Sequence, residues 1–115
     1  MALARSTRVP SRGEVVLVEL DPTRGSEIRK TRPCLVVSPD ELNHHLRTVM
    51  VAPMTTGGHA YPFRPVCRFG GKEGRVALDQ LRTVDRERLR KRLGILSPTN
   101  LASVFVVLSE MFELS

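Results

Sequence analysis

Short apolar runs, bounded by Gly, Pro or charged residues, recur along this 115-residue chain. Their length and their Val content are typical of β-strands buried on both faces rather than of helices. They predict strands at residues 13–20, 33–37, 47–54, 61–68 and 75–82. The fourth is predicted to be an edge strand, because Pro62 and Pro65 cannot donate a backbone hydrogen bond to a neighbour.

Two stretches carry the signals that begin a helix. Ser38 followed by Pro39 predicts the N-cap and first position of a brief helix, and Ser97 followed by Pro98 predicts a second one. The apolar residues after the second cap recur at the spacing of an amphipathic helix of about four turns. They are Leu101, Val104, Phe105, Leu108, Met111 and Phe112. Residues 85–96 are predicted to begin as one helical turn, capped by Asp85, and to continue as extended chain.

Strands in succession followed by one amphipathic helix predict a mainly β fold, a small barrel closed by that helix. The length and a hydrophobic content of 41% suit one domain, which we assign to residues 13–115, with 1–12 as a flexible N-terminal segment. That segment lacks the apolar centre of a signal peptide, and no apolar run approaches the roughly 20 residues of a membrane span. We therefore expect a cytoplasmic protein in which Cys34 and Cys67 are reduced and buried.

The charge of the chain adds a functional expectation. Eighteen Lys and Arg against twelve Asp and Glu give a formal net charge of +6, and fifteen of the cations are arginines. Arginine pairs bidentately with phosphate and stacks on bases, so this balance favours a polyanionic partner, either a nucleic acid or an acidic protein segment. The alternative is a charged surface that serves only solubility.

The most distinctive stretch is residues 21–38, DPTRGSEIRKTRPCLVVS. Its Asp-Pro start marks a turn, and Gly25 gives the loop a flexible corner. Glu27 and several cations follow, and Pro33 forbids a helix where the next apolar run begins. A loop that delivers one carboxylate and several cations onto a rigid strand is a common way to build a phosphodiester site. The same pattern also suits a solvated hairpin loop with a charged tip.

A set of sequence blocks distinguishes these interpretations. The chain contains, in this order, DPTRGSE, TRP and LVVSP within residues 21–39, VAPMTT at 51–56, YPF at 61–63 and LDQLRTVD at 78–85. Together these blocks resemble the signature of the MazF/PemK (Kid) family of toxin endoribonucleases. The resemblance covers nearly the whole chain.

The resemblance implies both a fold and an activity. The fold is a mainly β, SH3-like small barrel of the CcdB/PemK/MazF type with a C-terminal amphipathic helix. The activity is that of a toxin of a type II toxin-antitoxin system, which cuts single-stranded mRNA at selected sequences without a metal or another cofactor. The 2′-hydroxyl of the RNA attacks, leaving a 2′,3′-cyclic phosphate and a 5′-hydroxyl. The family also implies a homodimer and a cognate antitoxin with an acidic disordered tail.

Three residues are predicted to be catalytic. Arg32 lies in an Arg-Pro pair that begins a strand, and it matches a functional arginine of the family that would grip the scissile phosphate. Thr55 matches the family threonine that orients the phosphate or the 2′-hydroxyl. Glu27 matches the glutamate of the family's G-x-E loop, which either acts as the base or positions the loop and the RNA. The competing interpretation of Arg32 is a surface arginine paired with Glu27.

Eight further residues are predicted to contact RNA. They are Arg24, Arg29, Lys30, Thr56, His59, Asp79, Gln80 and Arg82. Two positions depart from the Kid branch of the family: Ala77 stands where that branch has a catalytic arginine, and Ser26 stands where it has a histidine. These departures place the chain nearer the MazF branch and exclude a histidine base in the loop. Three roles stay open for Asp79: an RNA contact, a structural carboxylate or a catalytic group.

Two other functions are compatible with such a fold. The related CcdB toxins bind DNA gyrase without catalysis, through a tryptophan near the C-terminus, and this chain has no Trp. The second alternative is a small barrel that binds RNA or protein and does not cleave, against which the matches at Arg32 and Thr55 argue.

Overall fold

The computed structural model describes residues 8–57 and 60–114. Within them lie seven strands, two α-helices and two 3₁₀ turns. The strands are β1 (Glu14–Glu19), β2 (Thr31–Val36), β3 (Thr48–Thr55), β4 (Val66–Phe69), β5 (Lys72–Val76), β6 (Arg82–Asp85) and β7 (Leu89–Ile95). The helices are α1 (Asp40–His45) and α2 (Pro98–Met111), and the 3₁₀ turns occupy Leu78–Gln80 and Arg86–Arg88. No helix in the two described ranges is long and apolar enough to cross a membrane.

Strand β3 organises the antiparallel sheet because three strands pair with it. β2 pairs along one edge, and the other edge is divided between two strands. β6 takes the first half, with Val49 opposite Val84, and β5 takes the last two residues, with Thr55 opposite Arg75. β1 lies between β2 and β7, and β4 forms a hairpin with β5. Because two strands share one edge of β3, the sheet curls into a half-barrel.

Both faces of the central strands are buried, which explains why their apolar runs do not alternate with polar residues. Val15 of β1 packs in a cluster with Val104 of α2. Its neighbour Val16 packs in a second cluster with Val84 of β6, on the opposite face of the sheet. Helix α2 therefore covers one face, and the curled sheet closes over the other. The predicted mainly β fold with a C-terminal amphipathic helix is confirmed.

The prediction of one strand over residues 75–82 is wrong. The chain leaves the edge of β3 after β5, makes a 3₁₀ turn at Leu78–Gln80 and rejoins the same edge as β6. The amide of Ala77 still donates to the carbonyl of Pro53 at 2.8 Å, which holds the turn against β3. The predicted edge strand over 61–68 is confirmed only near its end, as β4, because residues 61–64 form a turn closed by the Arg64 amide and the Tyr61 carbonyl.

The two predicted helix caps differ in outcome. Ser97 caps α2 by accepting a hydrogen bond from the Asn100 amide at 3.2 Å, as predicted. Ser38 does not cap α1, because its buried hydroxyl donates to the side-chain oxygen of Asn43 and accepts from the Met50 amide at 3.0 Å. The turn capped by Asp85 and the extended chain after it, now β7, are confirmed.

The remaining expectations concern the N-terminus and the cysteines. Residues 1–7 of the segment predicted to be flexible lie outside the described residues, whereas Arg8 is bound to Glu14 and the Pro10 carbonyl accepts from the Asn43 side chain. Cys34 and Cys67 are buried and unpaired, as expected. Burial raises the pKa of the Cys34 thiol to about 12, so this thiol is protonated at neutral pH.

Candidate active site

A surface cavity of about 410 Å³ lies between the loop that joins β1 to β2 and the end of β3. We call this loop, residues 21–30, the signature loop, and the cavity the arginine cavity. The residues that line it are Ser26, Glu27, Ile28, Arg29, Arg32, Thr55, Thr56, Gly57 and Arg64. All three residues predicted to be catalytic therefore lie at one site, and three arginines surround it.

Arg32 is held in place by the backbone of the signature loop. It is the second residue of β2, and its Nε donates to the carbonyl of Arg29 at 2.9 Å. No ion pair within the described residues joins Arg32 to Glu27, so the competing interpretation of a paired surface arginine is not supported. Most of the N–H donors of this guanidinium remain available for an anion in the cavity.

Glu27 closes a tight turn at the tip of the signature loop. Its carboxylate accepts from the Arg24 amide at 2.7 Å, and its own amide donates to the Arg24 carbonyl at 3.0 Å. Gly25, inside this turn, has a φ of +53°, a conformation that residues other than glycine rarely adopt. Glu27 thus holds the tip of the signature loop in shape, in addition to any role towards RNA.

Thr55 is the last residue of β3 and lines the cavity together with residues of the signature loop. Its hydroxyl donates to the Gly57 carbonyl at 3.3 Å, and its backbone pairs with Arg75 of β5. Thr56 follows it and also lines the cavity, and its contact with RNA stays a prediction. His59, predicted as an RNA contact, lies outside the described residues.

Arg64 is the charged residue of the cavity that the sequence alone did not indicate. Its guanidinium makes a bidentate ion pair with Asp79, with Nε to Oδ1 and Nη2 to Oδ2 both at 2.8 Å. Hydrogen bonding from Arg64 lowers the pKa of Asp79 below its ordinary value of 3.8, so the pair is ionised at neutral pH. One signal was present in the sequence, since Arg64 precedes a proline just as Arg32 does.

The other predicted RNA contacts lie mostly in a second depression, which we call the outer groove. It has a volume of about 740 Å³ and lies on the other side of the signature loop, so that Glu27 and Ile28 line both spaces. Its lining includes Arg24, Asp79, Gln80 and Arg82. Of the remaining two contacts, Arg29 lines the arginine cavity, whereas Lys30 lies at the base of the loop, where its amide donates to Asp21 at 3.2 Å.

Three arginines of the basic cluster at residues 86–92 are bound to β1. Arg88 donates to the carbonyl of Glu19, and Arg90 pairs with the Glu19 carboxylate at 2.8 Å. Arg92 pairs with the buried carboxylate of Glu14 at 2.6 Å. These three arginines therefore help to hold the segment around β7 against β1.

Fold and cavity together define a small β half-barrel with a basic surface site. A family model described as "PemK-like, MazF-like toxin of type II toxin-antitoxin system" matches residues 11–112. The chain therefore belongs to the PemK-like, MazF-like toxin family.

Curated relatives and solved structures agree with this assignment. The chain is 33% identical over 97 residues to the endoribonuclease toxin MazF of Escherichia coli, an alignment that spans 84% of this chain and 87% of the relative. It is 39% identical over 100 residues to the endoribonuclease PemK of Escherichia coli, across 79% and 73% of the two chains. The chain is thus similar to relatives that carry either name.

Structures of MazF from Deinococcus radiodurans resemble the whole fold. One crystal form of MazF superposes with a TM-score of 0.81 and 29% identity, covering 93% of this chain and 99% of that chain. A crystal structure of MazE-MazF from the same organism superposes with a TM-score of 0.75 and 27% identity, covering 94% and 99%.

Proposed function

We propose that this protein is the toxin of a type II toxin-antitoxin system and an endoribonuclease that cuts single-stranded mRNA at selected sequences in the cytoplasm. The observation that carries this proposal is the position of Arg32, which is fixed by the Arg29 carbonyl at the cavity that Thr55 and Glu27 also line. Family membership and the endoribonuclease activity named for the Escherichia coli relatives support the same conclusion.

The residues of the cavity suit a reaction in which the RNA supplies its own nucleophile. Attack by the 2′-hydroxyl builds negative charge on the phosphorus oxygens, which a fixed guanidinium at Arg32 stabilises. The Thr55 hydroxyl orients the phosphate or the 2′-hydroxyl, and Glu27 either accepts the proton or holds the loop against the RNA. Because the nucleophile is internal and the positive charge comes from arginine, the proposed reaction needs no metal. The bond from the 2′-oxygen to phosphorus forms as the phosphorus–O5′ bond breaks, and O5′ takes a proton from solvent, which gives a 2′,3′-cyclic phosphate and a 5′-hydroxyl.

The same surface suits an antitoxin. The arginine cavity and the outer groove are open and lined by several arginines, which attract any flexible polyanion. RNA and an acidic disordered tail are alternative ligands of that kind, so we infer that the cognate antitoxin inhibits by competing with RNA.

We also infer that two copies of the chain form a homodimer through β7 and α2. β7 is the terminal strand of the sheet order, and Ile95 on it is 59% exposed. On α2 and just after it, Val106 is 58% exposed and Phe112 is 70% exposed. Large apolar side chains gathered on one edge strand and one helix are typical of a protein–protein interface.

Incubation of the purified protein with a long RNA in the presence of a chelator tests the proposed activity. We expect cleavage at a recurring short sequence and fragments that begin with a 5′-hydroxyl, which polynucleotide kinase labels without prior dephosphorylation. Intact RNA under these conditions, or fragments that begin with a 5′-phosphate, would overturn the proposal. Binding of the RNA without cleavage would favour the non-catalytic barrel.

A further inference from the structure

We propose that Arg64 is a second catalytic arginine, whose guanidinium contacts the scissile phosphate, and that Asp79 is a positioning residue that holds it there. This assignment rests on the endoribonuclease activity proposed above. It adds a residue from the turn before β4, whereas Arg32 and Glu27 come from β2 and the signature loop.

The placement of Arg64 is the first support. It lines the arginine cavity together with Arg32 and Thr55, which precede it by 32 and nine residues in the sequence. Its side chain is only 16% exposed, whereas that of Arg68, four residues further on, is 65% exposed. Arg64 is therefore held against the protein at the edge of the cavity and does not extend freely into solvent.

The second support is that Arg64 is fixed at both ends. Asp79 takes two of its five N–H donors in a planar fork, and the Tyr61 ring lies 5.3 Å from its guanidinium carbon. Its backbone carbonyl accepts from Nη1 of Arg75 at 3.0 Å. Three N–H donors of the guanidinium remain for a ligand. A cation fixed before the substrate arrives stabilises developing charge without reorganising, which is how electrostatic catalysis is most effective.

The third support concerns the type of role. Hydrogen bonding to Asp79 raises the pKa of Arg64 above its already high ordinary value, so Arg64 stays protonated and is unsuited to donate a proton. Its contribution is therefore electrostatic. The cavity is lined by three arginines, Arg29, Arg32 and Arg64, and their combined positive charge exceeds the negative charge of Glu27. Both carboxylate oxygens of Asp79 accept hydrogen bonds from Arg64.

Single-turnover cleavage with saturating enzyme tests the role of Arg64. We expect Arg64→Ala to slow cleavage by roughly 100-fold, the scale of losing one transition-state donor, and Arg64→Lys to slow it by about tenfold or more. Affinity for an uncleavable RNA with a 2′-deoxy scissile nucleotide should fall by less than about fivefold. The matched control is Arg68→Ala, which removes the same charge from an exposed ion pair and should cut at the wild-type rate.

A double-mutant cycle tests the role of Asp79. Asp79→Asn should slow the wild-type enzyme by roughly tenfold and should change the Arg64→Ala enzyme by less than about twofold, because its effect passes through Arg64. A full effect of Asp79→Asn in both backgrounds would contradict a positioning role. If Arg64→Ala does not fold, Arg64→Lys decides the question, since a wild-type rate for that variant overturns the assignment.

The outcomes separate this inference from the proposed function. If the wild-type protein does not cut RNA, or Arg32→Ala cuts normally, the proposed function fails. If the wild type cuts, Arg32→Ala is slow and Arg64→Ala matches Arg68→Ala, only the assignment of Arg64 fails. Equal losses of affinity and rate in Arg64→Ala would make Arg64 an ordinary RNA contact and would likewise overturn the catalytic assignment.

Discussion

The amide of Ile28 donates a 3.0 Å hydrogen bond to Oε1 of Gln80, a residue 52 positions further along the chain. The side-chain amide of Gln80 in turn donates to the Ser26 carbonyl at 3.3 Å. These two bonds tie the signature loop to the 3₁₀ turn between β5 and β6. Gln80 therefore helps to fix the loop wall that the arginine cavity and the outer groove share.

Loss of these two hydrogen bonds should destabilise the signature loop more than the rest of the fold. A neutral hydrogen bond contributes about 1 kcal/mol, so we expect Gln80→Ala to reduce protection of the Ile28 amide by roughly fivefold in hydrogen exchange. Cleavage should slow by about tenfold because the loop carries Glu27 and orders Arg32 through Arg29. The control is Gln80→Glu, which keeps the acceptor for the Ile28 amide. Unchanged protection of Ile28 in Gln80→Ala would show that other contacts hold the loop.

The cleavage rate should depend more on the shape of the Arg32 side chain than on its charge. We expect Arg32→Ala to leave the melting temperature unchanged and to slow cleavage by about 100-fold or more. Arg32→Lys should recover little of that loss, because an ammonium group cannot reproduce a bidentate grip on phosphate. Single-turnover rates for the three proteins measure this directly. A near wild-type rate for Arg32→Ala would reduce Arg32 to a surface residue.

The apolar face of β7 and α2 should hold two chains together. Light scattering at micromolar concentration should give twice the chain mass of 12.9 kDa. The double variant Ile95→Arg, Val106→Glu places charges at two exposed apolar positions, one on β7 and one on α2, and should give the monomer mass. The control is Leu46→Glu, which changes an exposed apolar residue at the end of α1. A wild-type monomer would contradict the inferred interface.

Glu14 should make stability depend on pH in the acid range. Burial alone would raise its pKa, but hydrogen bonds from Arg8, the Ser11 amide and Arg92 outweigh burial, so the pKa lies below its ordinary value of 4.5. The stabilisation is therefore complete above pH 4.5 and is lost as the pH falls through the lower folded-state value.

Urea unfolding of Glu14→Gln measures that contribution. We expect the variant to be less stable by roughly 1–3 kcal/mol at pH 7, and the difference from wild type to shrink as the pH falls below about 4. Glu73→Gln, in an exposed pair with Arg68, is the matched control and should change little at either pH. A difference that stays constant across the acid range would contradict a charged Glu14 in the native state.

The sequence predicted much of this structure because much of it depends on local pattern. The apolar runs at β1, β2 and β3 and the capped stripe of α2 are each contained within a few residues, and the family blocks indicated Arg32, Thr55 and Glu27. The prediction of one strand over residues 75–82 was wrong because Val76, Ala77 and Leu78 are all buried, and an apolar run looks the same in a strand and in a buried turn.

What the sequence did not predict depends on contacts between distant segments. The pair of Arg64 with Asp79 joins residues 15 positions apart, and that of Ile28 with Gln80 joins residues 52 apart. Ser38 carries a strong cap signal, yet its hydroxyl is drawn into the core by Asn43. In each case tertiary packing decides the partner, and no local propensity records it.

The central claim, that the RNA provides its own nucleophile at the arginine cavity, is tested most directly with a single modified RNA. Once a cut site is mapped, the 2′-hydroxyl on the 5′ side of the scissile link is replaced by hydrogen at that nucleotide alone. A second RNA carries the same change two nucleotides away as a control. The account predicts that the first RNA binds and stays intact, while the control is cut at the normal rate. Cleavage of the first RNA at the modified link would contradict the account and would assign the attack to water.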